Sequence, residues 1–355
     1  MPETAAHPLR IPDSSGTQSA PVTGRRYDEC RLSNPCFMSA DLAQQLLLKT
    51  LLPLSLLIAA GAIWPRWQSG ISIVGLRGEI NRLVLNFFAP MLFFAAGAAA
   101  TVDLSLLQVP LILGVATLFG LGLAALVLFA TPLGRGLTRP ERGAIVLAAG
   151  FGNVLFFGYP FLTTVFGESG ARYPFFADML ATTPLVWSLG VWIAFRCGQH
   201  TEHASFLSMW LKLPPVWGFA AGLAVNLSDL PLTPLIEAAR WAGSPTIPLM
   251  LFVLGLTIPW HDLRPQKAVF VAMGIKLALM PLLALGIALA WPGTLSEPGE
   301  AAVLEAAMPT MVMVIALADR FGLDTRLAGL IMGWSTLAGL VTLPFWLYVV
   351  KGLAS

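Results

Sequence analysis

Long apolar stretches alternate with short polar ones along most of this chain. A helix that crosses a bilayer needs about 20 apolar residues, at about 1.5 Å of rise per residue. Ten stretches approach that length and predict an all-α integral membrane protein with ten spans. The predicted spans lie near residues 46–64, 82–100 (with an amphipathic lead-in from Ile73), 106–130, 143–166, 175–195, 213–227, 242–259, 268–291, 301–318 and 327–350.

The fourth and ninth spans are interrupted near their middles. Span four contains Gly150, Gly152, Gly158 and Pro160, and span nine contains Pro309. Glycine weakens a helix because it loses more backbone entropy on folding than other residues do. Proline breaks a helix because it lacks the N–H donor. Non-helical backbone persists at membrane depth only where protein or a water-filled cavity satisfies its polar groups. These spans are therefore predicted to be broken helices beside a cavity.

The second half of the chain weakly repeats the first. Pro90, Phe94 and Gly97 of span two recur at one constant offset as Pro248, Phe252 and Gly255 of span seven, and Phe166-Gly167 recurs as Phe321-Gly322. Since each half holds an odd number of spans, the second half must be inverted in the membrane. Inverted repeats with matching broken helices are typical of secondary transporters. This predicts five-helix repeats over 41–196 and 213–351, joined by a linker over 197–212.

Composition supports the membrane assignment. Hydrophobic residues make up 56% of the chain, charged residues 11%, and the mean hydropathy is +0.76, whereas a soluble domain is about 25% charged. The net charge is +2, with no basic stripe interleaved with aromatics, which argues against nucleic acid as a partner. The three cysteines form neither a disulfide framework nor a metal-ligand spacing.

Loop charges predict the orientation, because cytoplasmic loops carry an excess of Lys and Arg. The loops after odd-numbered spans hold most of these residues, which places the 197–212 linker in the cytoplasm and both termini outside. Arginines in the first forty residues oppose this bias. Residues 1–40 contain no apolar run and are predicted to be a disordered tail. An alternative start at Met38 would remove most of the contradiction.

Several polar residues in the spans are candidate site residues. Asn153 lies at the break of span four, where its amide would contact a solute or, alternatively, bond freed backbone. If the two breaks cross, the half-helices that follow them point their positive N-terminal ends at one place, which favours an anion. Alternatively, Pro309 marks an ordinary helix kink. Lys276 lies near the middle of span eight and would bind a carboxylate or balance an internal acid, unless it snorkels to an interface. Asp178 is a candidate proton site or an interfacial residue.

The motifs resemble the auxin efflux carrier family, including its bacterial members and the plant auxin carriers. The closest stretches are 152–167, 306–321, 335–336, 342–344 and 247–256, within a resemblance that covers roughly 46–350. The resemblance implies ten spans in two inverted repeats, with broken helices crossing in spans four and nine. It implies a carrier of weak organic acids, with dicarboxylates such as malonate or malate among bacterial substrates. Gly152 stands where the plant carriers have proline, and Thr310 and Met311 follow Pro309 without an amide.

The sequence thus predicts a secondary transporter in the cytoplasmic membrane that moves a small organic anion, a mono- or dicarboxylate, by alternating access. The predicted substrate-binding residues are Asn153, Gly152, Pro160, Pro309, Thr310 and Lys276, and Asp178 is the candidate for a coupling proton or sodium ion. No nucleophile elbow, intramembrane His-Glu pattern or Walker loop occurs, so we expect no enzyme activity, cofactor or metal. The alternative is a transport-inactive sensor or structural subunit with the same fold, and homodimerisation stays open.

Overall fold

Helices make up nearly all of the chain that the computed structural model describes, which is residues 40–67, 70, 72–101, 103–199, 210–228, 232–264, 266–292 and 295–354. All but the last residue of the predicted tail, and residues 200–209 of the predicted linker, lie outside these ranges. In chain order the helices are α1 (Asp41–Trp67), α2 (Ile73–Ala99), α3 (Leu104–Ala130), α4 (Arg139–Gly150), α5 (Gly158–Phe166), α6 (172–197), α7 (Pro214–Leu227), α8 (Thr233–Gly243), α9 (Thr246–Thr257), α10 (Lys267–Ala290), α11 (Glu297–Ala306), α12 (Met313–Phe321) and α13 (Thr325–Ala354). The described residues form no β-strand.

Six helical stretches of the described chain are long and apolar enough to cross a membrane. They are α1, α2, α3, the stretch Gly158–Cys197 that holds α5 and α6, α10 and α13. They coincide with predicted spans one, two, three, five, eight and ten. By contrast, α4 has 12 residues and reaches only about 18 Å at about 1.5 Å per residue, short of the hydrocarbon core of about 30 Å.

The predicted seventh span begins later than the helix found there. The chain is already helical from Thr233, and α8 and α9 are separated only by Ser244 and Pro245. Pro245 lacks an N–H group and cannot continue the hydrogen bonds of α8. Glu237 and Arg240 make α8 amphipathic, with apolar residues confined to one face, so a search for apolar runs passes over it.

The helices pack in two groups. One group contains α1, α2, α7, α8 and α9, in which α7 and α8 lie against α2 and α9 lies against α1. The other contains α3 to α6 and α10 to α13, whose contacts are mostly with one another. Thr50 of α1 joins the groups, because its hydroxyl lies 2.6 Å from that of Thr164 in α5.

A pair of small residues lets α7 approach α2 closely. Gly218 and Gly222 are spaced as in the small-xxx-small pattern of membrane helices. A Cβ on Gly218 would overlap the backbone of Pro90, and one on Gly222 would overlap the carbonyl oxygen of Phe94. The α2–α7 contact is therefore a backbone contact that only glycine permits at these positions.

We expect Gly222→Ala to destabilise the protein by about 1–3 kcal/mol or more, because the added methyl group would collide with backbone that has no rotamer to change. The measurement is the thermal melt of the purified protein. Gly122→Ala in α3 is the control, since a Cβ there meets nothing within 4 Å, and it should melt at or slightly above the parent temperature. Equal melting of both variants would show that α2 and α7 separate easily.

Polar contacts fix the start of α3 against α6. The side chain of Asp103 accepts hydrogen bonds from the Ser105 hydroxyl and, at 3.0 Å, from the N–H of Leu106, and it forms an ion pair with Arg172 of α6. These contacts, the Ser105 hydroxyl first, hold the pKa of Asp103 below its usual value. The link between α2 and α3 is thereby attached to the second group of helices.

Candidate functional site at the crossing of two interrupted helices

Two interrupted helices meet at their breaks. The link between α4 and α5 runs antiparallel to the link between α11 and α12, with a single bridge between Gly152 and Thr310. Asn153 N–H donates to the carbonyl of Pro309 at 2.7 Å, and Met311 N–H donates to that of Phe151 at 3.1 Å. Each break therefore satisfies part of the backbone that the other exposes, as the membrane interior demands.

Thr310 attaches this crossing to the helices around it. Its side chain is fully buried, and its hydroxyl donates to the carbonyl of Ala148 in α4 at 2.8 Å. Its N–H donates to the hydroxyl of Ser335 in α13 at 3.1 Å. Both donors of Thr310, its hydroxyl and its N–H, are thus engaged within the protein in this conformation.

The half-helices after the two breaks begin with free backbone donors. The turn that leads into α5 starts at Asn153, whose carbonyl accepts the N–H of Phe157 at 3.3 Å. The N–H groups of residues 154–156 have no acceptor in the described part of the chain, and neither do those of residues 312 and 313 at the start of α12. Unsatisfied N–H groups and the positive end of the helix dipole make such a terminus favourable for an anion.

A cavity of about 290 Å³ opens at these two helix starts. Residues 152–156 and 311–313 form one side, and α2, α6, α7 and α9 supply the rest of the lining. The cavity therefore lies between the two groups of helices. Its walls are largely apolar, with Phe93, Trp187 and Met250 among them.

Four side chains give the cavity its polarity. Asn153 is only 3% exposed, and its Nδ2 has no acceptor among the described residues. The Oδ1 of Asn81 likewise lacks a donor there. Asp178 accepts a hydrogen bond from the hydroxyl of Thr183 at 3.1 Å. No Lys, Arg or His belongs to the described lining, so it carries no cationic side chain and its donors are neutral groups such as the amide of Asn153.

Lys276 lies behind the crossing and does not line the cavity. It is fully buried, in a wide π-helical turn of α10, and its Nζ donates to the carbonyl of Ala306 at 2.7 Å. A Cβ on Gly152 would lie 2.9 Å from that Nζ, so the glycine leaves room for the ammonium group. The ammonium group thus sits at the C-terminal end of α11, where the helix dipole favours a cation.

A family model matches most of the chain. The family model described as membrane transport protein, which covers the auxin efflux carriers, matches residues 46–347. The chain belongs to this family. It is a family of transporters and not of enzymes, and the chain is a multi-pass membrane protein.

Relatives from archaea and bacteria carry similar descriptions. An uncharacterized transporter of Methanothermobacter thermautotrophicus is 30% identical over 288 residues, which cover 79% of this chain and 93% of the relative. An uncharacterized transporter of Methanocaldococcus jannaschii is 24% identical over 290 residues, covering 76% and 89%. The uncharacterized transporter YfdV of Escherichia coli is 26% identical over 289 residues, covering 76% and 88%.

The two prolines that are predicted as site residues, Pro160 and Pro309, lie beside the cavity and not in its lining. Pro160 is in α5, and its carbonyl accepts the hydroxyl of Thr164 at 2.9 Å. Pro309 contributes its carbonyl to Asn153. Of the predicted site residues, Gly152, Asn153 and Asp178 line the cavity, whereas Pro160, Pro309, Thr310 and Lys276 surround the crossing. Their roles with substrate stay predictions.

Sequence reasoning missed Glu305, which lies one residue before the end of α11. Its side chain is fully buried, and neither carboxylate oxygen has a hydrogen-bond partner in the described chain. The signal was available, because Glu305 falls inside predicted span nine, and an ionisable residue inside a span is a functional candidate by default. In this span, Pro309 is predicted from the sequence as a site residue and Glu305 is not.

Proposed function

We propose that this protein is a secondary transporter that carries a small organic anion, a mono- or dicarboxylate, across the cytoplasmic membrane by alternating access. The observation that supports this most is the meeting of two half-helix starts with the amide of Asn153 at one cavity. Free N–H groups and two positive dipole ends there favour a negatively charged group. Broken helices whose N-termini face an anionic substrate group are a recurrent feature of transporters.

The rest of the cavity suits the carbon body of such a solute. A volume of about 290 Å³ is at the small end of ligand sites, which run from about 300 to 1,000 Å³. Side chains such as Phe93 and Met250 offer no hydrogen bonds, so they would contact apolar parts of the solute. An organic acid fits both surfaces better than an inorganic anion does.

Asp178 would couple the binding of a cation to the binding of the anion. When ionised, its carboxylate would repel a negative solute in the same cavity. A proton or a sodium ion on Asp178 removes that repulsion, so the two ligands would favour each other's binding. This makes Asp178 the proposed coupling residue on the cavity side.

The proposed architecture adds the short helices to the six long ones. We count α4 with α5 as one pass, α11 with α12 as another, and α7 and α8–α9 as two more. This gives ten passes in two inverted halves, 41–196 and 213–351. Alternating access would move the two packing groups relative to each other, opening the cavity between them to one side and then the other.

The orientation has a direct test. A reporter fused into the 196–212 loop should appear on the cytoplasmic side, and one fused after Ser355 should appear outside, because Arg and Lys accumulate in the loops after odd-numbered spans. The measurement is reporter activity of a pair of enzymes, each active on one side of the membrane. Finding both fusions on the same side would contradict the five-plus-five inverted arrangement.

The function is tested by transport in proteoliposomes. Labelled mono- and dicarboxylates are offered to the purified protein with and without proton and sodium gradients. Uptake or exchange of at least one anion, above that of empty liposomes, is the expected result. No transport of any of them, together with unchanged folding, would favour the transport-inactive alternative.

A further inference from the structure

The carboxyl group of Glu305 occupies a pocket made by a glycine. It faces the start of α5, where a Cβ on Gly158 would lie 2.5 and 2.7 Å from its two oxygens. No donor in the described chain reaches either oxygen, although the side chain is fully buried. An ionised carboxylate in such a place has neither water nor hydrogen bonds to stabilise its charge, which is strongly unfavourable.

Two charged side chains act on Glu305 from neighbouring helices. Lys276 of α10 and Asp178 of α6 interact with it electrostatically. The other helices packed on α11, namely α3, α5 and α13, bring no further charged group to it in the described residues. Glu305 therefore interacts with one acid, Asp178 at the cavity, and with one buried base, Lys276.

The net charge of Glu305, Asp178 and Lys276 indicates that this cluster binds one additional proton. With all three groups ionised, the cluster carries one net negative charge, and two of its members, Glu305 and Lys276, are fully buried. One proton on either acid makes it neutral. Asp178 has the hydroxyl of Thr183 as a donor at 3.1 Å, which favours its ionised form, whereas Glu305 has none. The proton therefore belongs on Glu305.

We propose that Glu305 is a proton-binding site of the transport cycle. In the conformation described here it holds a proton, sealed from the cavity, and it exchanges that proton with water when the cycle exposes the crossing. The exchange rests on the proposed transport function, whereas the bound proton does not. A proton suits Glu305 better than a metal ion does, because hard cations bind several oxygen ligands. The described residues contain no group of three His, Cys, Asp or Glu that could hold a metal ion.

The bound proton is tested by infrared spectroscopy of the purified protein near neutral pH, which reports the carbonyl band of a protonated carboxyl group. We expect such a band in the parent protein and its loss in Glu305→Gln. Glutamine has the same shape as the protonated acid, so this variant should also fold and melt like the parent.

Glu300→Gln is the matched control, because Glu300 lies on the same helix and is also buried, but its carboxylate forms a 2.6 Å ion pair with Lys351. The control should keep the carbonyl band. An identical spectrum in the parent and in Glu305→Gln would overturn the proposal. So would failure of Glu305→Gln to fold, which would mean that Lys276 needs an ionised partner.

The exchange is tested in proteoliposomes with the anion that the parent transports. An imposed pH gradient should change the rate of uptake by the parent and by Glu300→Gln. Glu305→Gln should still transport but lose this response. A parent without any response, or a Glu305→Gln variant that keeps it, would overturn the exchange. A parent that transports no anion would instead contradict the proposed function, and the infrared result would still decide whether Glu305 holds a proton.

Discussion

Replacing Asn153 by Ala should weaken anion binding by roughly tenfold to a hundredfold and leave the melting temperature almost unchanged. A hydrogen bond to a charged group contributes about 1.5–3 kcal/mol, and about 1.4 kcal/mol corresponds to tenfold in affinity. The Nδ2 of Asn153 has no hydrogen-bond partner in the described protein, so its removal breaks no hydrogen bond of that amide in the empty carrier. The measurements are a thermal melt and a binding titration with a transported anion.

Asn226→Ala is the matched control. The Nδ2 of Asn226 donates to the carbonyls of Ala98 and Ala100 at 2.8 and 2.9 Å, where α7 meets the end of α2, away from the cavity. This variant should lose about 1–3 kcal/mol of stability, because buried carbonyls lose their donor, and should keep its affinity. If Asn153→Ala behaves like this control, melting lower while binding normally, then Asn153 is a structural residue.

Replacing Lys276 by Met should lower the free energy of unfolding by about 1.5–3 kcal/mol, the contribution of a hydrogen bond to a charged group. The carbonyl of Ala306 would lose its donor, and the C-terminal end of α11 would lose its cation. Affinity should fall less than in Asn153→Ala, because the ammonium group is not in the described lining of the cavity. Thermal melts and the same binding titration measure both effects.

Lys49→Met is the control for this change, because Lys49 is exposed on α1 and should tolerate the substitution. A large loss of affinity in Lys276→Met with unchanged melting would place the ammonium group against the anion, which is the other role that the sequence leaves open. The double variant with Glu305→Gln adds a further check. If Glu305 is neutral, the two changes should be nearly additive in stability, whereas an ion pair would couple them.

Much of the candidate site could be predicted from single segments of sequence. A run of apolar residues identifies a membrane helix because each residue is transferred into lipid nearly independently. Glycines and a proline inside such a run require a break, and a break at that depth requires a protein partner or a cavity. Gly152, Asn153 and Pro309 were therefore predictable, and Asn153 and Pro309 do meet at the crossing.

Other features were hidden because their chemistry depends on neighbours far along the chain. The charged residues of α8 lie on one face of the helix, and a hydropathy value averaged over the segment does not show this. Lys276 bonds a carbonyl 30 residues later, and no local pattern distinguishes that partner from a substrate. Glu305 looks like an isolated charge until Gly158 is seen to make room for it.

The sequence by itself determined that this protein is a multi-pass membrane helical protein with two broken helices, because the bilayer acts on each segment separately and an apolar helix satisfies its own backbone hydrogen bonds there. Only the tertiary structure decided which buried polar groups are partners. It pairs Asn153 N–H with Pro309, places Lys276 behind the crossing, and leaves the side-chain amide of Asn153 unpaired at the cavity. These choices follow from which helices pack together, and a buried polar group takes whatever partner that packing brings within hydrogen-bond distance.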